Sequence, residues 1–291
     1  MRLRTLPLSL AGVVLGVLLA GAGHCVDALT VVLLLLTTVS LQVLSNLSNE
    51  LGDTLSGTDR ADRQGIRYSL QDGEMSIPQM KRLILFAAVW SACCGLAMVY
   101  SAFGTLRAPL PLAFLVLGAA AIWAAMHYTL GKRPYGYRGL GDFYCFLFFG
   151  WAAVAGTFYL ATKSLDFSVL LPASAMGFLS NAVLNINNMR DYENDKTSGK
   201  NSLVVKLGLE KAFVYHCLLI GGVFVCLTVY LILHHAAWYS YLFWLLSLLF
   251  IKDLISIRKT QPERIDPFLG RQVKHSFLLV LVYGILVLMG T

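Results

Sequence analysis

Charge is scarce in this chain. Asp, Glu, Lys and Arg together supply 13% of its 291 residues, about half the share of a soluble globular domain. A surface so poor in charge cannot face water all round, which excludes an ordinary soluble enzyme. It also leaves no case for nucleic-acid binding, although the formal net charge is +7. Cysteine is sparse and unpatterned as well. Cys25, Cys93, Cys94, Cys145, Cys217 and Cys226 lie in or beside apolar segments, with no CxxC pair and no matching His spacing. Neither a zinc site nor a disulfide framework is indicated; these thiols read as small buried hydrophobes. No appended soluble domain and no low-complexity linker interrupts the run, so residues 1–291 read as one domain.

What is present is grease. Hydrophobic residues make up 57% of the chain and mean hydropathy is +0.68. Segments of roughly 20 apolar residues, the length that crosses a bilayer, fall near 6–24, 28–48, 82–103, 109–130, 141–161, 166–187, 212–233, 236–254 and 273–290. The expected fold is all-α: a polytopic membrane protein with nine transmembrane helices.

The few charges orient it. With the N-terminus inside, the inner segments hold 21 of the 23 Lys and Arg, leaving only Arg107 and Lys163 outside. Such an excess marks the cytoplasmic face. Among the acids only Asp27 and Asp166 lie outside. The first segment, MRLRTLPLSLAGVVLGVLLAGAG, has the basic start and small-residue end of a signal peptide. A cytoplasmic N-terminus agrees with every later loop, however, and the segment reads as a retained helix. The expected location is the plasma (inner) membrane, with the polar clusters on the cytoplasmic side and the net positive charge serving topology and anionic headgroups.

Two polar stretches begin where apolar segments end: NLSNELGDTLSGTDRAD from Asn46 and NAVLNINNMRDYENDKTSGK from Asn181. Carboxylates and amides at membrane depth usually face an interior cavity and do chemistry. At about 100° per residue, Gln42, Asn46, Asn49, Glu50 and Asp53 form one helical stripe. Asn181, Asn185, Asn188, Asp191 and Asp195 form a second, with Asn187 at its edge. Oxygen-only donors with no nearby His or Cys suit a hard cation, by default Mg2+. Arg60, Arg63 and Arg67 follow the first cluster, and Arg190, Lys196 and Lys200 surround the second. Carboxylates for a metal beside cations for an anion describe a diphosphate site. A cation transporter is the rival reading, since intramembrane carboxylates also line ion paths. Against it, both clusters lie on one side, and the outer half has no ionisable residues to continue a path apart from loop residues such as His234 and His235.

The pattern N-E-x-x-D at 49–53, paired with D-x-x-x-D at 191–195, resembles the two aspartate-rich motifs of the UbiA superfamily of intramembrane prenyltransferases. Three stretches, SNLSNELGD at 45–53, PYGYRGLGD at 134–142 and NNMRDYENDKTSGKNSLVVKLG at 187–208, are most similar to its 1,4-dihydroxy-2-naphthoate (MenA-type) branch. The chain departs in carrying Glu50 where the family commonly has Asp, and Gly57 at a third acidic position, with Asp59 nearby. The resemblance implies nine helices around a central cavity facing the cytoplasm. It implies Mg2+-dependent transfer of a polyprenyl group from its diphosphate to the naphthoate with loss of the carboxylate, giving demethylmenaquinone in its reduced, quinol form. Another aromatic acceptor, such as 4-hydroxybenzoate, is the alternative within the superfamily.

On this reading Asn49, Glu50, Asp53, Asn188, Asp191 and Asp195 hold the metal. Asn46, Asn49, Arg63, Arg190, Lys196 and Lys200 contact diphosphate. Tyr135, Tyr137 and Arg138 on the Gly- and Pro-rich loop meet the acceptor, Arg138 pairing with its carboxylate. The many Phe, Trp and Tyr within the fifth, seventh and eighth segments read as packing or interfacial belts.

The charge distribution is directly testable. In a cysteine-free background, cysteines introduced at positions 136 and 198 should be labelled by an impermeant thiol reagent only from the cytoplasmic side. One at position 107 should be labelled only from outside. Outside labelling at 136 would place the loop and the clusters in different compartments.

Overall fold

A computed structural model describes residues 5–57 and 69–290. All regular structure among them is helical. Eight helical spans are long and apolar enough to cross a membrane: α2 (Ala28–Leu55), α3 (Ile77–Phe103), α4 (Pro109–His127), Gly141–Thr162, Phe167–Arg190, α10 (Leu209–Leu233), Trp238–Lys259 and α12 (Asp266–Gly290). A ninth apolar helix, α1 (Leu6–Gly21), is shorter. Every expected segment is therefore helical. Several begin or end beyond the apolar run, because polar residues at one end of the bundle continue the helix. Thus α2 reaches Leu55 and α12 starts at Asp266. This is the arrangement a bilayer demands, since backbone groups unpaired in hydrocarbon cost several kcal/mol each.

Local chemistry sets the ends. The Asp27 carboxylate accepts the Thr30 amide at 2.8 Å and caps α2. Ser76 and Gln79 form a reciprocal capping box at the start of α3. The fifth span is composite: α5 (Gly141–Cys145), a π-helical stretch Phe146–Ala155, and α6 (Gly156–Thr162). The sixth joins a 3-10 turn to α7 (Leu170–Arg190). It ends at Asp191, where φ −89° and ψ 9° break the helix before the short α8 (Tyr192–Thr197) and α9 (Leu203–Leu207). The eighth span runs from a 3-10 segment (Trp238–Leu246) into α11 (Ser247–Lys259).

Small residues bring these helices together, as expected where lipid is as apolar as the core. At Gly150 a Cβ would stand 2.7 Å from Ala173 O and 2.9 Å from Gly177 Cα, so the π-helical stretch meets α7 backbone to backbone. At Gly52 a Cβ would run into the Thr129 side chain. That closeness lets α2 touch the segment after α4, and it places Thr129 against the neighbouring Asn49. One apolar cluster joins α1, the fifth and sixth spans, α10, α11 and α12, and a second joins α2 to α3. The cavity lies between these halves.

Adding a methyl group at the Gly150 crossing should destabilise by about 1–3 kcal/mol, the usual cost of overpacking. Gly150→Ala should therefore lower the thermal midpoint in detergent by several degrees. Gly95→Ala, where a Cβ meets nothing within 4 Å, should leave it unchanged or raise it through helix propensity. Equal midpoints for the two variants would refute the close crossing.

Candidate active site

The first polar stripe is built upward along α2. Ser9 Oγ donates to Gln42 Oε1 at 2.5 Å, and Gln42 Nε2 donates to Asn46 Oδ1 at 3.2 Å. This ladder ties α1 to α2 and sets the Asn46 amide. Thr129 Oγ1 donates to Asn49 Oδ1 at 3.2 Å and to Ser48 O at 3.0 Å. Tyr137, from the loop after α4, donates its hydroxyl to Asp53 Oδ1 at 3.0 Å. Asn46, Asn49 and Asp53 all line one cavity.

Glu50 behaves differently. Its side chain is buried, accepts the Leu70 amide at 3.1 Å and is not among the cavity-lining residues. It anchors the chain that re-enters before α3. The helical stripe is about 100° wide, and Glu50 sits on its far edge, where another segment reaches it first.

The second stripe divides. Asn181 Nδ2 donates to Tyr215 OH at 3.4 Å and Asn185 Nδ2 to Ala212 O at 3.0 Å, so these two amides brace α7 against α10. Asn187 and Arg190 line the cavity instead. The break at Asp191 ends the α7 phase, so α8 carries Asp195 round on a new helical axis. Arg190 Nε and Nη2 donate to the two Asp191 oxygens at 2.8 Å each. Its Nη2 also donates to Asn187 Oδ1 at 2.8 Å, and its Nη1 to Asp266 Oδ1 at 2.5 Å. Lys200, itself buried, pairs with Asp195 at 3.2 Å and sits 5.7 Å from the Tyr137 ring centroid.

Tyr137 therefore closes a chain between the clusters, from Asp53 through Tyr137 and Lys200 to Asp195. Two features suit a hard cation there. Asp195 Oδ2 and Asn188 Oδ1 are buried with no hydrogen-bond partner among the described residues, a costly state for acceptors. Asp195 is 1% exposed, and burial, with Asp191 and Asp53 nearby, pushes its pKa up to about 6 against the opposing pull of Lys200. Among the described residues no three Asp, Glu, His or Cys side chains could enclose an ion alone.

The cavity behind this mouth holds about 600 Å³. Its deep part is apolar, with Val13, Leu34, Leu117 and Leu160. One wall is aromatic. Tyr135 and Tyr144 lie 4.2 Å apart between centroids, Tyr128 meets Tyr135 edge-on at 5.4 Å, and Tyr144 stacks with Phe148 at 6.3 Å. The Tyr135 hydroxyl donates to Ala124 O at 2.8 Å, which orients the ring, and burial raises its pKa.

The remaining expected residues lie elsewhere. Arg138 is exposed and absent from the lining; Lys206 Nζ donates to its carbonyl at 2.7 Å. Lys196 is exposed, 5.9 Å from the Tyr192 ring. Arg63 lies outside the described residues, as do Arg60, Arg67 and Asp59. Asn187, Tyr128, Tyr144, Phe148 and Asp266 also line the cavity, although none is among the expected site residues. The fifth-span aromatics, expected to serve packing, include Phe148 and Phe149, which the π-helical stretch turns onto the cavity. Only Asn187 had a visible signal, its place at the edge of the Asn stripe.

Comparison with known proteins identifies the family and the fold. Residues 9–290 match the model of the UbiA prenyltransferase family. The chain is 42% identical over 289 residues to 1,4-dihydroxy-2-naphthoate octaprenyltransferase of Escherichia coli K12, covering 98% of this chain and 93% of that protein. The apo structure of a UbiA homolog from Aeropyrum pernix K1 superposes with a TM-score of 0.68 at 17% identity, covering 100% of this chain and 98% of the other. A UbiA homolog from Archaeoglobus fulgidus bound to GPP and Mg2+ gives 0.60 at 17% identity, covering 98% and 99%.

The raised Asp195 pKa has a sign that can be checked. Without a cation, ionising this buried carboxylate costs stability as pH rises from about 4 to about 6. A cation that needs the ionised form competes with the proton below about 6. Mg2+ should therefore raise the thermal midpoint more at pH 7.5 than at pH 5, and its half-saturating concentration should climb toward tenfold per pH unit below 6. A pH-independent Mg2+ response would mean that Asp195 does not face the ion.

Proposed function

This chain belongs to the UbiA prenyltransferase family, and from that premise we propose that it transfers a polyprenyl group from its diphosphate to 1,4-dihydroxy-2-naphthoate, with loss of the carboxylate, in menaquinone biosynthesis. One observation carries the reading. Two facing Asn/Asp helix ends, bridged by Tyr137 and Lys200, form the polar mouth of an apolar cavity of about 600 Å³ in a bundle of membrane helices. That is a container for a molecule with an anionic head and a long hydrocarbon tail. The full-length similarity to a naphthoate octaprenyltransferase supports the acceptor and the polyprenyl donor. In our reading the protein is multi-pass in the plasma (inner) membrane, with its N-terminus and the cavity mouth cytoplasmic.

The diphosphate head lies at the mouth, where Asn49, Asp53, Asn188, Asp191 and Asp195 would hold Mg2+. When bound, the ion neutralises charge that develops on the departing diphosphate. Lys200 adds a fixed cation on the same side, and Asn46 a neutral donor. The allylic C–O bond breaks with its electron pair going to the diphosphate. The carbocation left behind is kept from water by the apolar wall and faces the ring quadrupoles of Tyr128, Tyr135 and Tyr144. Tyr137 holds Asp53 in place through its hydroxyl. The naphthoate ring stacks against the aromatic wall and attacks through carbon, and the carboxylate leaves as CO2. Arg138, on the exposed loop above, contributes positive charge where the acidic acceptor enters.

Purified protein should prenylate the naphthoate with CO2 release and leave 4-hydroxybenzoate nearly untouched. Asp53→Asn, Asp191→Asn and Asp195→Asn should each lower kcat/KM by a hundredfold or more, about 2.7 kcal/mol, while inserting normally. A better kcat/KM for 4-hydroxybenzoate would remove the naphthoate assignment. Near-normal turnover in Asp191→Asn would remove the metal assignment.

A further inference from the structure

Arg190 is the most heavily engaged cation in the cavity wall. Four of its five N–H groups donate to protein oxygens: two to Asp191, one to Asn187 and one to Asp266. A guanidinium so committed has one N–H left, among the described residues, for an incoming phosphate. It is built to hold carboxylates. Its paired contact with Asp191 fixes both oxygens of that carboxylate in one plane, the bidentate geometry in which Arg orients a partner most strictly.

The contact from the far side comes from Asp266, 76 positions along the chain, at the first residue of the 25-residue helix α12. That position favours an ionised carboxylate, because the helix N-terminus carries partial positive charge. Both Arg190 and Asp266 line the cavity, with side chains 14% and 31% exposed.

We propose that Asp266 is a positioning residue of the active site: by accepting Nη1 of Arg190 it sets the guanidinium that orients Asp191, linking the last membrane helix to the second aspartate cluster. The inference rests on the reading of Asp191 as a metal ligand. With Asp266 present, the Arg190 charge is shared between two carboxylates, so Asp191 keeps electron density for a cation. Without it, Arg190 turns wholly to Asp191 and competes with the metal. Carboxylates that bind metals are commonly held this way by hydrogen-bonded neighbours, whose loss costs about 10–100-fold in affinity.

The test measures Mn2+ binding to the full-length protein by the loss of free-ion EPR signal, with no prenyl substrate present. Thermal midpoints are recorded alongside. Asp266→Ala should weaken Mn2+ by about tenfold, and Asp266→Asn, which keeps an acceptor oxygen, by about threefold. In an Arg190→Ala background the Asp266→Ala loss should shrink below twofold, because the residue acts through Arg190. An unchanged Mn2+ affinity in Asp266→Ala overturns the proposal, as does an equal loss in both backgrounds, which would make Asp266 a distant charge only. Should Asp266→Ala not fold, the same cycle with Asp266→Asn decides by the same criterion. Asp191→Asn is the separate control: wild-type Mn2+ affinity there would refute the metal reading itself, whereas abolished binding there with intact binding in Asp266→Ala refutes only the positioning role.

Discussion

The hydrogen bond from Tyr137 to Asp53, continued by Lys200 to Asp195, is the interaction on which the site depends. Carboxylates at the ends of membrane helices repel one another, and in a low-dielectric setting that repulsion is expensive. Left alone, the ends of α2 and α7 would splay. A phenol from one loop and an ammonium from another hold them face to face and leave buried oxygens of Asp195 and Asn188 open. The bridge is also tied down. The Tyr137 carbonyl accepts the Asn201 amide at 3.0 Å, and Lys206 reaches the next carbonyl, that of Arg138. The loop over the mouth and the segment after α8 are therefore joined by two hydrogen bonds.

That arrangement needs helices closer than ordinary side chains permit. Gly52 lets Thr129 press against α2 beside Asn49, and Gly150 lets the π-helical stretch meet α7 at its backbone. The tight contacts on these faces leave volume elsewhere, and the space between the two apolar clusters becomes the cavity. The π-helical stretch contributes a second effect. Its wider turn rotates Phe148, Phe149, Ala152 and Ala153 onto the cavity side. Such stretches are rare and recur at functional sites. Packing and chemistry are coupled here: the residues that close the bundle also shape the space in which a cation would be shielded.

Several roles follow distance in space where distance in sequence gives no hint. Tyr215 on α10 donates to Asp142 at the start of the fifth span at 3.1 Å, and Asn181 joins it. This network stands behind the cavity wall and supports Gly141 and Cys145, which line it. On the other side, Asp253 of α11 pairs with Arg271 of α12 at 3.2 Å, and His275 Nδ1 of the same helix lies 3.0 Å from its second oxygen. That cluster fixes the last two spans against each other, and so fixes the start of α12 at which Asp266 meets Arg190.

The sequence by itself determined the membrane setting, the helical class, the apolar part of each helix though not the polar ends of α2, α3 and α12, and two polar clusters rich in oxygen donors. These are local properties: hydropathy over about 20 residues and the phase of Asn and Asp along one helix are written in consecutive letters. Asn46, Asn49 and Asp53 were legible for that reason, since α2 runs unbroken through them. Tertiary structure decided the rest. It turned Glu50 to the Leu70 amide, spent Asn181 and Asn185 on α10, placed Asn187 and Arg190 on the cavity side, and broke the helix at Asp191 so that Asp195 follows a new axis. It brought Tyr137 to Asp53 across 84 positions and Asp266 to Arg190 across 76. No periodicity encodes such meetings. They arise because a buried polar group must be paired, and which partner is near enough depends on how whole helices cross.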